Sequence, residues 1–405
     1  MKRLYAFILA LSVTLFLQGC YSQGSSAPMP TNVSVVAGDS SATVSWDMLP
    51  GVEYWIFKAA TANVTPQSCF GSAECQMVMK AVSPAVVGSL TNGTTYSFSI
   101  NGRIDGGKGG PGSAAIQAVP RLAGAIWTSG TATGTGAVRG IAYGTQYVAV
   151  GDTGTIFIST DGISWAAPGI AIPTTATLYA VTYSAGKYIA VGAGGTILSS
   201  TDAQTWVQQT NADTHDLYSI AGNGVGGFVA VGASGAVLGS PDGVSWTAAT
   251  SGTSNTLFDI SYANSLFVAV GASGTVIYSS NAVNWSLPTY TNAGTAAQLN
   301  SIVYGYAAGS TTGMFVTMGA TGTLLTSSDG MSWTLQTSLA GTPTINAVTY
   351  GRQFIAAGNA GELLTSTDGL NWTLATTATA PLYAIDHGPY DYTATGAAGL
   401  NMHSK

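Results

Sequence analysis

The stretch Leu178-Tyr179-Ala180-Val181-Thr182-Tyr183, then Lys187-Tyr188-Ile189-Ala190-Val191-Gly192, runs on through Ala193-Gly194-Gly195-Thr196-Ile197-Leu198-Ser199-Ser200-Thr201-Asp202 to Trp206. Short apolar runs with β-branched alternation, broken by glycine, are the pattern of strands joined by tight turns. The stretch is one copy of a repeat. Its ending, Ser-x-Asp-Gly-x-Ser/Asn-Trp, recurs at 159–165, 240–246, 327–333 and 366–372, and in degraded form at 200–206 and 279–285. The repeat tryptophans Trp127, Trp165, Trp206, Trp246, Trp285, Trp333 and Trp372 are spaced by 38, 41, 40, 39, 48 and 39 residues. A period near 40 with four short strands per copy is the pattern of propeller blades, and the Gly-rich turns exclude a helical repeat. Ile126-Trp127 supplies only the last strand of a copy, while 382–405 supplies three strands and no Trp. Pairing the two ends predicts seven blades over 122–405, closed by the N-terminal strand, which removes exposed sheet edges. The 48-residue step predicts an insertion at 306–312.

Composition agrees with an all-β chain. Only 7% of the 405 residues are charged, against roughly 25% in an average globular chain. Glycine is frequent, at 53 residues, and 46% of the chain is hydrophobic. With 11 basic and 17 acidic residues, the chain lacks the basic footprint of a nucleic-acid binder. Three Cys and three His exclude a zinc-rich module, and no phosphate-binding loop or other cofactor motif is present.

The repeat endings resemble the Asp-box, or BNR repeat, of sialidase-like propellers, and the full units resemble the photosystem II assembly-factor family of propellers. The Asp-box resemblance implies that Asp161, Asp202, Asp242, Asp329 and Asp368, with Asn281 as a weaker substitute, cap backbone amides between third and fourth strands. It further implies a glycine of positive φ in the turn and a Trp packed into the blade. These groups are therefore assigned to structure, not to metal binding or catalysis.

The first residues give an address. Met1-Lys2-Arg3 is followed by an apolar run over 4–17, too short to span a bilayer comfortably, which ends in Leu17-Gln18-Gly19-Cys20. This resembles the lipobox of bacterial lipoproteins, although Gln18 is unusual at its position. The resemblance implies a signal peptide over 1–19 and a lipidated Cys20, with residues 20–29 as a flexible tether. Loss of Lys2 and Arg3 leaves nine basic residues against 17 acidic ones, a net charge of −8. Tyr21, in place of the Asp that retains some lipoproteins at the inner membrane, implies the outer membrane. In an exported chain, Cys69 and Cys75, six apart, are expected to form a disulfide.

Residues 30–121 predict a small sandwich. Strands are expected over 32–36, 42–47 and 52–57, with Trp46 inward and an exposed hairpin loop at 101–110. Pro30, Trp46, Leu90 and the stretch Leu90-Thr91-Asn92-Gly93-Thr94-Thr95-Tyr96 resemble a fibronectin type III domain with its tyrosine corner. Such domains act as spacers or adhesive modules.

No catalytic constellation emerges. A sialidase needs an arginine cluster, a Tyr–Glu pair and an acid, yet the propeller region holds only Arg139, Arg352 and Glu362. Outside the Asp-boxes its acids are Asp152, Asp213, Asp216, Asp259, Asp386, Asp391 and Glu362, with no pair marked for glycoside hydrolysis. Asp213-Thr214-His215-Asp216 reads as a surface loop, and His387 and His403 have no partners visible in the sequence. The second residue of each first strand is more informative: Arg139, Tyr179, Tyr218, Phe258, Asn300, Asn346 and Tyr383. Four aromatics, two amides and an arginine suit a ligand-binding ring for a glycan or peptide at the mouth. Packing between blades near the axis is the alternative. The expected function is a non-catalytic, envelope-anchored lipoprotein. Its partners would be the membrane, through the lipid, and an envelope protein or glycan. The alternative is a carbohydrate-active enzyme.

Overall fold

The computed structural model describes residues 24–70, 72–131, 134–290, 294–389 and 391–404, so Cys20 and the signal segment lie outside the described residues. The chain divides into two compact units, Met1–Leu122 and Ala123–Lys405. Among the described residues no helix is long and apolar enough to cross a membrane.

The first unit holds strands β1 (Ser34–Gly38), β2 (Ser41–Ser45), β3 (Val52–Ala59), β4 (Cys75–Ala81), β5 (Ala85–Val87), β6 (Tyr96–Ile104) and β7 (Ile116–Ala118). They make two antiparallel sheets, β1-β2-β5 and β4-β3-β6-β7. Val44, Trp46, Tyr54, Ile56, Leu90, Phe98 and Ile100 fill the space between them. The Tyr96 hydroxyl accepts the Thr91 N–H at 3.2 Å, the bond a tyrosine corner makes.

Two expectations are corrected in this unit. The loop foreseen at 101–110 begins only at Asp105, because β6 continues through Ile104 with Asn101 buried in it. The foreseen tether is packed structure from Gly24 onward. Ile104 N–H donates to Ser25 O at 2.9 Å, Ser26 bridges Arg103, and Ala27 is buried against Gly102. Gly102 and Gly110 lack the side chains that would otherwise keep this segment off the sheet.

A single-turn helix, α1 (Pro66–Cys69), is capped by Thr65, whose hydroxyl accepts the Ser68 N–H at 3.0 Å. Cys69 and Cys75 are disulfide-bonded, with their Cα atoms 5.2 Å apart. The bond closes a short loop, so Cys69→Ser with Cys75→Ser is expected to lower the stability of this unit by about 2 kcal/mol. Denaturant unfolding followed through the first unit measures it; an unchanged midpoint would show that the loop is held by α1 packing alone.

The second unit contains seven sheets among its described residues, antiparallel except for one strand of the fifth. Their first strands are Val138–Tyr143, Leu178–Ser184, Leu217–Gly222, Leu257–Ala263, Leu299–Tyr306, Ile345–Tyr350 and Leu382–His387. These strands adjoin one another in chain order, and the last adjoins the first. The seventh sheet is completed by β8 (Thr128–Ser129), which pairs antiparallel with Asn401–Ser404. Val148, Val150, Val191, Val231, Val270 and their neighbours pack between sheets in successive apolar clusters. The first and fourth sheets have three strands, their fourth reduced to single bridges at Ala166 and Ser286. The long fifth copy has its extra hairpin residues between Tyr306 and Gly313. Thr289–Tyr290 also adds a parallel fifth strand, which the spacing did not foretell.

The repeat turns have the expected geometry. Asp161 Oδ1 accepts the Ile163 and Ser164 N–H groups at 2.8 Å, and the same two-amide pattern recurs at Asp202, Asp242, Asn281, Asp329 and Asp368. Gly162, Gly243, Gly330 and Gly369 have φ between 69° and 76°, whereas the degraded turns place Ala203 and Ala282 there at 60° and 63°. Trp206 and Trp333 are buried. The Thr205 and Gln204 amides hold the Asp202 carboxyl at about 2. Partial burial opposes the same effect at Asp368, but its amide donors still hold it at about 2. An unfolded Asp titrates near 3.9, so these turns stabilise fully above pH ~4 and lose that contribution as pH falls through about 2. Near-UV circular dichroism on acidification is expected to show unfolding in that window, less steeply for Asp202→Asn with Asp368→Asn. An equally steep transition in the double variant would assign acid sensitivity elsewhere.

Candidate functional site

The seven predicted ring residues share one backbone feature, which places them together. In the second sheet Leu178 faces Gly192 and Ala180 faces Val191, leaving Tyr179 as an unpaired, bulged residue. The same register break singles out Arg139, Tyr218, Phe258, Asn300, Asn346 and Tyr383. A bulge bends the strand and re-aims its extra side chain. Glycine makes room for it: a Cβ on Gly192 would lie 2.1 Å from Thr177 O, and Gly151, Gly232, Gly271, Gly319 and Gly396 are equally crowded by backbone.

All seven side chains are half-buried and line one mouth, whose outer part, about 380 Å³, is also bordered by Gln298, Thr344 and Asn359. Below them a channel of about 320 Å³ runs between the first strands. Around the ring, Tyr179 lies 5.0 Å from Tyr218 and Tyr218 lies 5.8 Å from Phe258, centroid to centroid. The Arg139 guanidinium sits 5.8 Å from the Tyr383 ring and 5.9 Å from the Tyr179 ring. Arg139 Nε also donates to Asp152 Oδ1 at 2.6 Å, so its charge is matched at the rim. Asn300 and Asn346 donate their amides to Ile345 O and Leu382 O of the next sheet at 2.7 and 2.8 Å. The ring is therefore an aromatic and cationic arc facing an amide arc. Burial raises the Tyr179 and Tyr218 phenols, with Asp216 adding to the shift, so both present neutral hydroxyls at neutral pH.

The channel holds a group that sequence reasoning left among scattered acids. Asp259 Oδ1 accepts Ser219 Oγ at 2.6 Å and Ile260 N–H at 2.8 Å, while Oδ2 accepts Ser301 Oγ and Ile302 N–H, both at 2.8 Å. Ser301 Oγ in turn accepts the Val348 N–H at 3.1 Å. The carboxylate thus joins three adjacent sheets and, through Ser301, reaches a fourth. Burial pushes its carboxyl up, against the pull of the four donors. Ser219, Asp259 and Ser301 each follow a ring residue, and that shared position was the available signal.

Asp386 also lines the channel; its Oδ2 accepts the Tyr143 N–H at 2.7 Å, joining the last sheet to the first. His387 and His403 do have partners: His387 Nδ1 lies 3.3 Å from Asp386, and buried His403 lies 3.3 Å from Thr393 Oγ1. His215 Nδ1 meets Asp213 Oδ1 at 2.7 Å beside a separate, exposed cavity of about 440 Å³. Among the described residues no three His, Cys, Asp or Glu side chains converge as a metal site.

Fold and mouth together define an all-β protein of the propeller-like class. No protein-family profile and no curated protein matches the chain. Solved structures do. One described as YCF48 bound to D1 peptide is 18% identical with a TM-score of 0.56, covering 69% of this chain and 94% of that one. YCF48 from Cyanidioschyzon merolae is 17% identical, TM-score 0.55, covering 69% and 99%. Selenomethionine-substituted virginiamycin B lyase from Staphylococcus aureus is 11% identical, TM-score 0.56, covering 69% and 99%. At these identities the likeness is one of fold.

Proposed function

We propose that the protein is a non-catalytic, envelope-anchored lipoprotein. In this reading the second unit is a seven-bladed, strand-closed propeller with Asp-box turns that binds a protein or glycan at its mouth, and the first is a fibronectin-like stalk. The observation that carries it is the convergence of seven bulged side chains on one opening, since bulges re-aim side chains and are over-represented at rims and beside sites. A propeller described as bound to a peptide supports a peptide ligand. The lipobox-like Cys20 supports anchoring, and Tyr21 after it supports the outer membrane. The carbohydrate-active alternative rests on Asp259 and Asp386 in the channel. It ranks second because a carboxylate offers about four acceptor positions and the donors to Asp259 fill them.

The test is affinity capture of envelope proteins, together with a glycan array, for the protein with and without Arg139→Ala plus Tyr218→Ala. Loss of these two side chains is expected to weaken binding by at least tenfold, about 1.4 kcal/mol, with the thermal midpoint nearly unchanged. Undiminished binding by the double variant would remove the mouth as the site.

A further inference from the structure

We infer that the first unit presents one particular end to a lipid bilayer, with Met48, Leu49 and Val82 as the side chains that enter it. This rests on the reading of Cys20 as acylated.

The two ends of this sandwich are not equivalent. The chain arrives beside the close of β6, where Ile104 N–H donates to Ser25 O and Ser26 bridges Arg103. It leaves beside the start of β6, where Ala118 faces Tyr96 and Arg121 N–H donates to Gly38 O. Val52, the first residue of β3, faces Ile104, so the loop just before it belongs to the arrival end. That loop exposes Met48 and Leu49, each at 45%. The loop after β4 belongs to the same end, since Ala81 faces Tyr54, and it exposes Val82 at 64%. The two loops touch: the Ser83 N–H lies 3.4 Å from Met48 Sδ, and Ser83 Oγ accepts the Trp46 N–H at 2.8 Å.

Gly24 is four positions after Cys20, a reach of at most about 14 Å. Acyl chains on Cys20 would therefore hold the arrival end within that distance of the headgroups. At such range the effective concentration of bilayer far exceeds that of any soluble partner. Three unbranched or branched aliphatic side chains on adjoining loops suit shallow insertion at the headgroup–acyl boundary. Their burial would add to the attachment that the acyl chains on Cys20 already provide. The opposite end, with exposed Phe70 beyond α1, lies where Ala59 faces Ser97 and is out of reach of this anchor.

The test uses the full chain purified from membranes. Intact mass first establishes whether Cys20 carries acyl chains; an unmodified Cys20 overturns the anchor reading, and the orientation with it. Leu49→Cys, Val82→Cys and Phe70→Cys are then labelled with an environment-sensitive NBD dye, Cys69 and Cys75 being disulfide-bonded. The acylated proteins are reconstituted into phosphatidylethanolamine–phosphatidylglycerol vesicles. The dye at 49 and 82 is expected to shift to the blue and to be quenched by doxyl-labelled lipid, while the dye at 70 keeps its aqueous spectrum. Acylated protein with an aqueous spectrum at 49 and 82, or with lipid quenching at 70 alone, overturns the docking end and leaves the anchor standing.

Discussion

Truncation after Gly399 is expected to abolish the native second unit. The lost strand carries Asn401, Met402, His403 and Ser404, all buried. It pairs with Tyr392–Gly396 on one side and with β8 on the other. Ser404 Oγ donates to Ile126 O at 2.5 Å and accepts the Gly124 N–H at 2.8 Å, and Asn401 donates to Gly162 O at 3.2 Å in the first sheet. Without the strand, β8 has no partner, the seventh sheet is reduced to two strands, and an apolar edge is bared. Burial of Met402 alone contributes about 2 kcal/mol, and the stranded backbone and side-chain groups add about 1–3 kcal/mol each. The sum rivals the ~5–15 kcal/mol by which a domain is stable. Circular dichroism and limited proteolysis are expected to show an aggregation-prone, protease-sensitive chain. A truncated protein that melts cooperatively near the full-length midpoint would refute closure through β8.

Asp259→Ala is expected to destabilise the second unit by about 4 kcal/mol. It leaves the Ile260 and Ile302 N–H groups and the Ser219 and Ser301 hydroxyls without their acceptor, in a narrow channel. Each stranded buried donor costs about 1–3 kcal/mol, less where a channel water replaces the carboxylate. Asp259→Asn keeps the shape but turns one acceptor into a donor facing donors, so it rescues only in part. The raised carboxyl also carries a pH signature. Because the folded state binds the Asp259 proton more tightly than the unfolded chain, this group lowers stability as pH rises from ~4 through its folded value. That slope is opposite to the one contributed by Asp202 and Asp368. Denaturant midpoints across pH 4–8 for wild type and Asp259→Asn measure it. A variant within 1 kcal/mol of wild type would reduce the network to decoration.

Much of this architecture was legible in the residues. The repeat period gave sheet number and order because each copy carries its own turn chemistry, from the capping carboxylate to the glycine beyond it. The ring residues were legible as a position, the one after each leading Leu, Val or Ile. Their convergence depends on a bulge, which leaves no mark in the residue pattern, although the glycine across the strand recurs with the repeat at Gly151, Gly192, Gly232, Gly271, Gly319 and Gly396. The Asp259 network stayed hidden because its partners are one repeat apart in sequence and become neighbours only when the sheets adjoin. Residues 24–29 read as a tether because Gly, Ser and Ala have little side chain to bury. Here the small size of Ala27, Gly102 and Gly110 is what permits close packing. Ala203 and Ala282 at positive φ show the turn's hydrogen bonds overriding residue preference.

The mouth itself is tested most directly by photocrosslinking in the cells that make the protein. A photoreactive phenylalanine in place of Tyr218 reports on the ring, and one in place of Leu374, exposed on the outermost strand Thr373–Thr377, reports on the outer surface. The mouth account expects a discrete adduct from position 218 that Arg139→Ala suppresses, and none from 374. A discrete adduct from 374 with none from 218 would contradict it.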